Sequence, residues 1–215
     1  MSLDILFVNP SAQAGIYQGL AESLTALEPP LWSRLLASYM AVKGASVEIL
    51  DPEALGMTAE ESVDAAVTLN PRLVVAVVQG HQPSASTQTM PAAIHFCQRF
   101  KAGREDIPIL MVGGHPAALP ERTLEETGAD FVCTGEGPQT VSMLCLYLTV
   151  NGTETKTFRV SANIDDVPGL CYRMHNRIIR TKPAENIWSL TEEMPSGMWD
   201  KLSMDRYRAH GWHAF

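Results

Sequence analysis

Four short stretches carry most of the side chains and backbone with chemical potential. They are Asn9-Pro10-Ser11-Ala12-Gln13-Ala14-Gly15, Gly80-His81-Gln82-Pro83-Ser84-Ala85-Ser86-Thr87, Gly113-Gly114-His115-Pro116 and Thr134-Gly135-Glu136-Gly137-Pro138. Each mixes small residues with hydroxyls, amides or an ionisable group. Glycine allows backbone to approach a ligand closely. The hydroxyls of Ser84, Ser86 and Thr87 can hydrogen-bond a phosphate or a ring nitrogen. Several such runs point to binding of a long, flat or tailed ligand, and no catalytic or metal-ligating residue is assigned. Taken singly, each run has a plainer explanation. Strand–helix turns need glycine, His81 and His115 suit loop histidines bonded to backbone, and Glu136 suits a helix cap.

Several phosphate-binding classes are disfavoured by what these runs lack. Gly135-Glu136-Gly137 is no G-x-G-x-x-G dinucleotide fingerprint, which would follow the first strand. No G-x-x-x-x-G-K-[ST] loop follows that strand either. A phosphoacceptor domain needs acidic residues where Asn9 and Gly80 stand.

The elements that must position these runs are legible. Apolar, β-rich segments at Ile5–Asn9, Ser46–Leu50, Leu73–Val78, Ile109–Val112 and Phe131–Cys133 read as strands covered on both faces. Helices lie between them. Pro29-Pro30 opens one that Gly44 closes, and Thr58 to Glu61 forms a capping box for a second that Pro71 ends. Thr89 is expected to cap a third, Pro120 to start a fourth stopping at Gly128, and a fifth spans about Gln139 to Leu148. Five β–α alternations predict a doubly wound α/β fold, flavodoxin-like, with a five-stranded parallel sheet of order 2-1-3-4-5. All four runs then fall at the carboxyl ends of strands, where such sheets bind ligands. Val167 to Thr181 reads as a C-terminal β-hairpin turning near His175-Asn176. Pro183 to Phe215 has no clear period and reads as an irregular linker whose packing partner is elsewhere. The expected division is residues 1–150, a Rossmann-like binding domain, and residues 151–215, hairpin and linker.

Composition bounds the partners. The 215 residues are 46% hydrophobic and 19% charged, ordinary for a globular domain. A net charge of −8 argues against nucleic acid. No apolar run reaches the roughly 18 residues needed to span a bilayer, so no membrane partner is expected. The N-terminus lacks a signal-peptide pattern. Cys97, Cys133, Cys145 and Cys171 match no zinc or iron–sulfur spacing and are expected as buried, reduced thiols, hence a cytoplasmic protein.

Together "FVNP", "GHQPSAST", "VGGHPAALPE" and "CTGEGPQT", in this order, resemble the N-terminal cobalamin-binding domain of B12-dependent radical S-adenosylmethionine enzymes. The closing "YRAHGWHAF" is similar to the segment that precedes the radical domain in that family. The resemblance covers nearly the whole chain. It implies a corrin lying across the carboxyl edge, with its nucleotide tail entering beside strands 1 and 3. Asn9, Pro10, Ser11 and Gln13 would lie near the lower corrin face. Gly80, His81, Ser84, Ser86 and Thr87 would border the tail, with Ser86 and Thr87 offering it hydroxyls. Gly113, Gly114, His115, Pro116, Gly135, Glu136 and Gly137 would form the far wall.

Two departures qualify the resemblance. The loop after strand 1 has no histidine, so no D-x-H-x-x-G motif is present and a base-off cobalamin is expected, with a weak or vacant lower position. Pro138 stands where many relatives carry an acidic residue. The chain also has no C-x-x-x-C-x-x-C motif. S-adenosylmethionine and a [4Fe–4S] cluster are therefore expected only in a separate radical domain, the implied C-terminal partner, and this chain alone is expected not to be catalytic. In the family, cobalamin relays a methyl group from S-adenosylmethionine to a substrate radical. A methyltransferase is the leading expectation. A nucleotide-sugar or phosphometabolite-binding domain of a transferase, or a ligand-free interaction domain, is the alternative.

Overall fold

The computed structural model describes residues 3–10, 26–79, 83–152, 163–175, 177–195 and 197–208. Five strands run parallel: β1 (Ile5–Val8), β2 (Val47–Leu50), β3 (Leu73–Val78), β4 (Ile109–Gly113) and β5 (Phe131–Cys133). Two more, β6 (Leu170–Met174) and β7 (Arg177–Arg180), join antiparallel. The sheet order is β2-β1-β3-β4-β5-β6-β7. The expected 2-1-3-4-5 core is present, and the hairpin extends it to seven strands.

Alternation along each strand builds two cores. Ile5, Phe7, Val75, Val77, Leu110 and Val112 face α1 (Leu31–Val42) and the later helix Pro138–Gly152. Leu6, Val8, Val74, Ala76, Ile109 and Met111 face the opposite layer. All are essentially inaccessible, which is why these strands read as unbroken apolar runs.

After β2 comes a one-turn helix, α2 (Pro52–Leu55), that the sequence reading did not contain. In α3 (Ala59–Leu69) the capping box forms as expected. Thr58 Oγ1 accepts the Glu61 N–H at 3.1 Å, and Glu61 Oε2 accepts the Thr58 N–H at 2.8 Å. Asn70, in the left-handed region, ends the helix just before Pro71.

The next helix, α4, corrects an expectation. It spans Pro83–Gly103, so Thr89 is interior rather than a cap, and its hydroxyl donates to the Ala85 carbonyl at 2.8 Å. Pro83 begins the helix, where a missing N–H costs nothing, and an exposed Pro91 is carried within it. The segment Ser84 to Thr87 is thus the first turns of a helix and not a loop.

A second unforeseen turn, α5 (Gly114–Ala118), leads into α6 (Pro120–Thr127), which Gly128 closes at φ +70°. The last sheet-covering helix is α7 (Pro138–Gly152).

The hairpin docks because β5 would otherwise leave an open edge. Phe131, Val132 and Cys133 pair with Tyr172, Cys171 and Leu170. The outer strand β7 presents Arg177 and Arg180 to solvent, a polar guard on the new edge.

The stretch after the hairpin is irregular, as expected, but it has a packing partner in this chain. Its described residues include a short helix, α8 (Leu190–Glu193), and two 3-10 turns. Met194 is 5% exposed, and Ile187, Met198 and Leu202 pack against the core cluster of α1 and α7. Residues 197–208 form a strap fastened to the rest of the molecule at several points, with Pro195 tied down before it. Ser38 donates its hydroxyl to the Pro195 carbonyl. Lys201 pairs with Glu48 at 2.7 Å, and Leu27 and Arg208 exchange backbone bonds at 2.9 Å.

Candidate cofactor site

Parallel register sets the carboxyl ends of β1, β3, β4 and β5 side by side, with Val78 opposite Gly113. Ser86, on the second turn of α4, is 1% exposed. Its Oγ donates to the Val78 carbonyl at 2.5 Å and accepts the His115 N–H at 2.9 Å. One hydroxyl therefore bolts together the end of β3, the start of α4 and the β4–α5 turn. One lone pair of that oxygen is left uncommitted. Beside it Thr87 is exposed, with Oγ1 3.1 Å from His115 Nδ1.

The glycines divide into two kinds. A Cβ on Gly113 would stand 2.0 Å from the Val78 carbonyl oxygen, so this glycine is required by strand contact. Gly137, at φ +111°, is buried, and a Cβ there would meet Val112 and Leu36 at 3.0 and 3.2 Å. By contrast Gly114 is exposed, with only Ser86 near its open side, and Gly135 has nothing within 4 Å. These two leave bare backbone at the rim. Pro116 is buried beneath it, and Glu136 is exposed, its carboxylate accepting the Ile187 N–H at 3.4 Å.

At the β1 and β2 ends the structure assembles a cluster that sequence reasoning missed. Asn9 Nδ2 donates to Asp51 Oδ1 at 3.2 Å, and the Tyr207 hydroxyl donates to Asp51 Oδ2 at 2.9 Å. Asp51 is 4% exposed. Burial raises its carboxyl pKa, an effect opposed by the bonds from Asn9, Tyr207 and two backbone amides. Burial and the Asp51 carboxylate push the Tyr207 phenol above its usual range as well. Asp51 was findable, since it ends a strand at the ligand edge. No sequence signal brings Tyr207 there across 156 residues. Pro10 is buried. Ser11, Gln13, Gly80 and His81 lie outside the described residues, and Ser84 is placed only by its backbone, in the first turn of α4.

No group of three His, Cys, Asp or Glu gathers among the described residues. All four cysteines are free and buried. Burial pushes the Cys97 thiol up to about 12 and Cys145 to about 11, which keeps both protonated and inert. A groove of about 690 Å³ lined by Leu3, Ser46 and Asn70 lies at the amino ends of the strands, away from this edge.

A family model described as the B12 binding domain matches residues 17–144. The chain belongs to the B12-binding domain family. It is 27% identical over 210 residues to the uncharacterized methyltransferase PH0819 of Pyrococcus horikoshii, covering 97% of this chain and 41% of that protein. Among solved structures it resembles TsrM from Kitasatospora setae, a radical S-adenosylmethionine methyltransferase, here with tryptophan and an S-adenosylmethionine analogue bound. That match has TM-score 0.62 and 17% identity, covering 86% of this chain and 31% of TsrM. OxsB, a cobalamin-dependent S-adenosylmethionine radical enzyme with aqua-cobalamin and S-adenosylmethionine bound, matches at TM-score 0.61 and 18% identity, over 90% of this chain and 24% of OxsB. The chain thus spans less than half the length of each of these relatives.

The residues present fit a corrin. Its flat face is rimmed by amide side chains that need hydrogen-bond partners, and the edge supplies open backbone at Gly114 and Gly135. Asn9, Thr87, His115 and Glu136 add polar groups. The described part of the first loop offers cobalt no imidazole, because Asn9 and Pro10 follow Val8 directly.

Proposed function

We propose that this chain holds base-off cobalamin at the carboxyl edge of its sheet and serves a B12-dependent radical S-adenosylmethionine enzyme, a methyltransferase. The observation that carries the reading is the gathering of the open glycines, Thr87, His115 and Glu136 on one edge of a B12-binding domain. The names of PH0819, TsrM and OxsB support the wider role. Bound cobalamin would supply methyl-group carriage. The chain's own residues hold it: Ser86 fixes the β3 and β4 ends, Asn9 is held by Asp51, and Gly135 and Gly114 admit close approach. The radical half, with its C-x-x-x-C-x-x-C cluster ligands and S-adenosylmethionine, is the proposed partner. A cytoplasmic setting belongs to the same proposal, supported by four free cysteines. No described helix is long and apolar enough to cross a membrane.

The test is direct. The purified chain is mixed with hydroxocobalamin and desalted, and its visible spectrum recorded. Retained corrin bands of base-off form are expected. A colourless protein overturns the reading and favours a phosphorylated metabolite as ligand.

A further inference from the structure

Arg34 lies in the first turn of α1 and is 5% exposed, yet its Nε has no hydrogen-bond partner. Among the described residues it makes no ion pair. The Trp199 ring stacks on it, 3.2 Å from the guanidinium carbon to the ring centroid. A ring stacked on the guanidinium face leaves the in-plane N–H edge available. A buried, unpaired cation is costly unless something compensates it, and cation–π stacking offsets only part of that cost. Burial lowers the Arg34 pKa, and only the Tyr207 oxygen works against it. The Asp51 carboxylate, which Tyr207 bonds, is engaged by Asn9 as well.

The same turn holds further unused donors. Ser33 is 1% exposed, and its hydroxyl has no partner. Pro30 provides no side-chain cap, and no acidic residue occupies the first turn of this 12-residue helix. The first N–H groups of the turn have no partner within the helix. Helical side chains lean toward the N-terminus, which directs Arg34 to that end. Tyr207 and the Leu27–Arg208 bridge place the strap there too.

We propose that the N-terminal turn of α1 is an oxyanion site, in which Arg34, the Ser33 hydroxyl and the turn's amides bind one phosphate or carboxylate group. Two sources share this chemistry: the phosphodiester of the cofactor's nucleotide tail, and the acid group of a second small molecule. The first source rests on the cobalamin reading above; the second does not.

The experiment compares the full chain with Arg34→Met and Arg34→Lys. Each is titrated with hydroxocobalamin, with cobinamide, which lacks the nucleotide phosphate, and with inorganic phosphate and acetate. Corrin absorbance and melting temperature are read. If the tail supplies the anion, Arg34→Met weakens cobalamin binding by about tenfold or more and leaves cobinamide binding unchanged. If a separate acid does, both corrins bind as before, but the variant loses the rise in melting temperature that phosphate or acetate gives the native chain. In either case Arg34→Met melts no lower than the native chain in anion-free buffer, and Arg34→Lys is intermediate in binding. Native-like response of Arg34→Met to every probe overturns the site. So does a loss of folding in Arg34→Met that Arg34→Lys repairs without any change in anion response, because the guanidinium is then structural. A native chain that retains no corrin but shows Arg34-dependent stabilisation by phosphate sinks the cobalamin reading and leaves the oxyanion site standing.

Discussion

At Ser86 a single hydroxyl satisfies two backbone groups, the buried Val78 carbonyl and the half-buried His115 N–H. Ser86→Ala strands both, and leaving buried polar groups unpaired costs about 1–3 kcal/mol. Denaturant unfolding is expected to show that loss, together with weaker corrin retention, since the β4–α5 turn is no longer tied to α4. Native stability in Ser86→Ala would mean that water replaces the hydroxyl. Asp51 makes a second residue-scale prediction. Burial raises its pKa above the ordinary value of 3.8. Its favourable contribution is complete below 3.8 and is lost as pH rises through the higher folded value, above which the buried charge costs stability. Native stability relative to Asp51→Asn should therefore increase as pH falls from neutral into that window. Urea melts at several pH values check the slope, and the opposite sign refutes the assignment.

Among the elements, the hairpin matters more than a C-terminal appendage would. Leu170 and Cys171 are inaccessible, and Tyr172 is 4% exposed. They complete both cores where β5 would otherwise end the sheet. Leu170→Ala should cost about 2–5 kcal/mol, as for other buried leucines, measured as a lowered urea midpoint with an unchanged m-value. A loss below about 1 kcal/mol would show that β6 is only loosely docked. The strap behaves differently. Its surface pair Lys201–Glu48 is partly exposed and contributes little. Its hold comes from Met194 in the core and from Tyr207 on Asp51. Trp188, 89% exposed, takes no part in that packing, and Trp212 lies outside the described residues.

For the molecule as a whole, the reading makes cobalamin a stabilising ligand. At a hundredfold excess over Kd, a ligand that binds only the native state adds about 2.7 kcal/mol. For a chain of this size that corresponds to a rise in Tm of about 5–10 °C. Differential scanning fluorimetry with and without hydroxocobalamin measures it, and no rise at saturating ligand contradicts the function proposed. The strap links this site to the rest of the molecule. Asn9 at the carboxyl end of β1 holds Asp51, Asp51 holds Tyr207, and Arg208 beside it pairs with Leu27.

The residues alone determined the five strands, their parallel order and the carboxyl edge at which such sheets bind ligands. The physical reason is local. Strands buried on both faces read as unbroken apolar runs, and Thr58, Pro120 and Gly128 mark helix ends by backbone chemistry that no distant contact alters. The glycine runs were legible for the same reason, although the sequence did not tell Gly113 and Gly137, which packing requires, from Gly114 and Gly135, which face open space. Thr89 was misassigned because a helix beginning at Pro83 gains its stability from packing Met90, Cys97 and Phe100, which outweighs a local capping preference. Only the tertiary structure decided that the hairpin extends the sheet, that Ser86 binds its own backbone, and that Tyr207 and Trp199 return over Asp51 and Arg34. Those contacts join residues far apart in the chain, through burial and hydrogen bonds that carry no sequence period, so no local pattern could announce them.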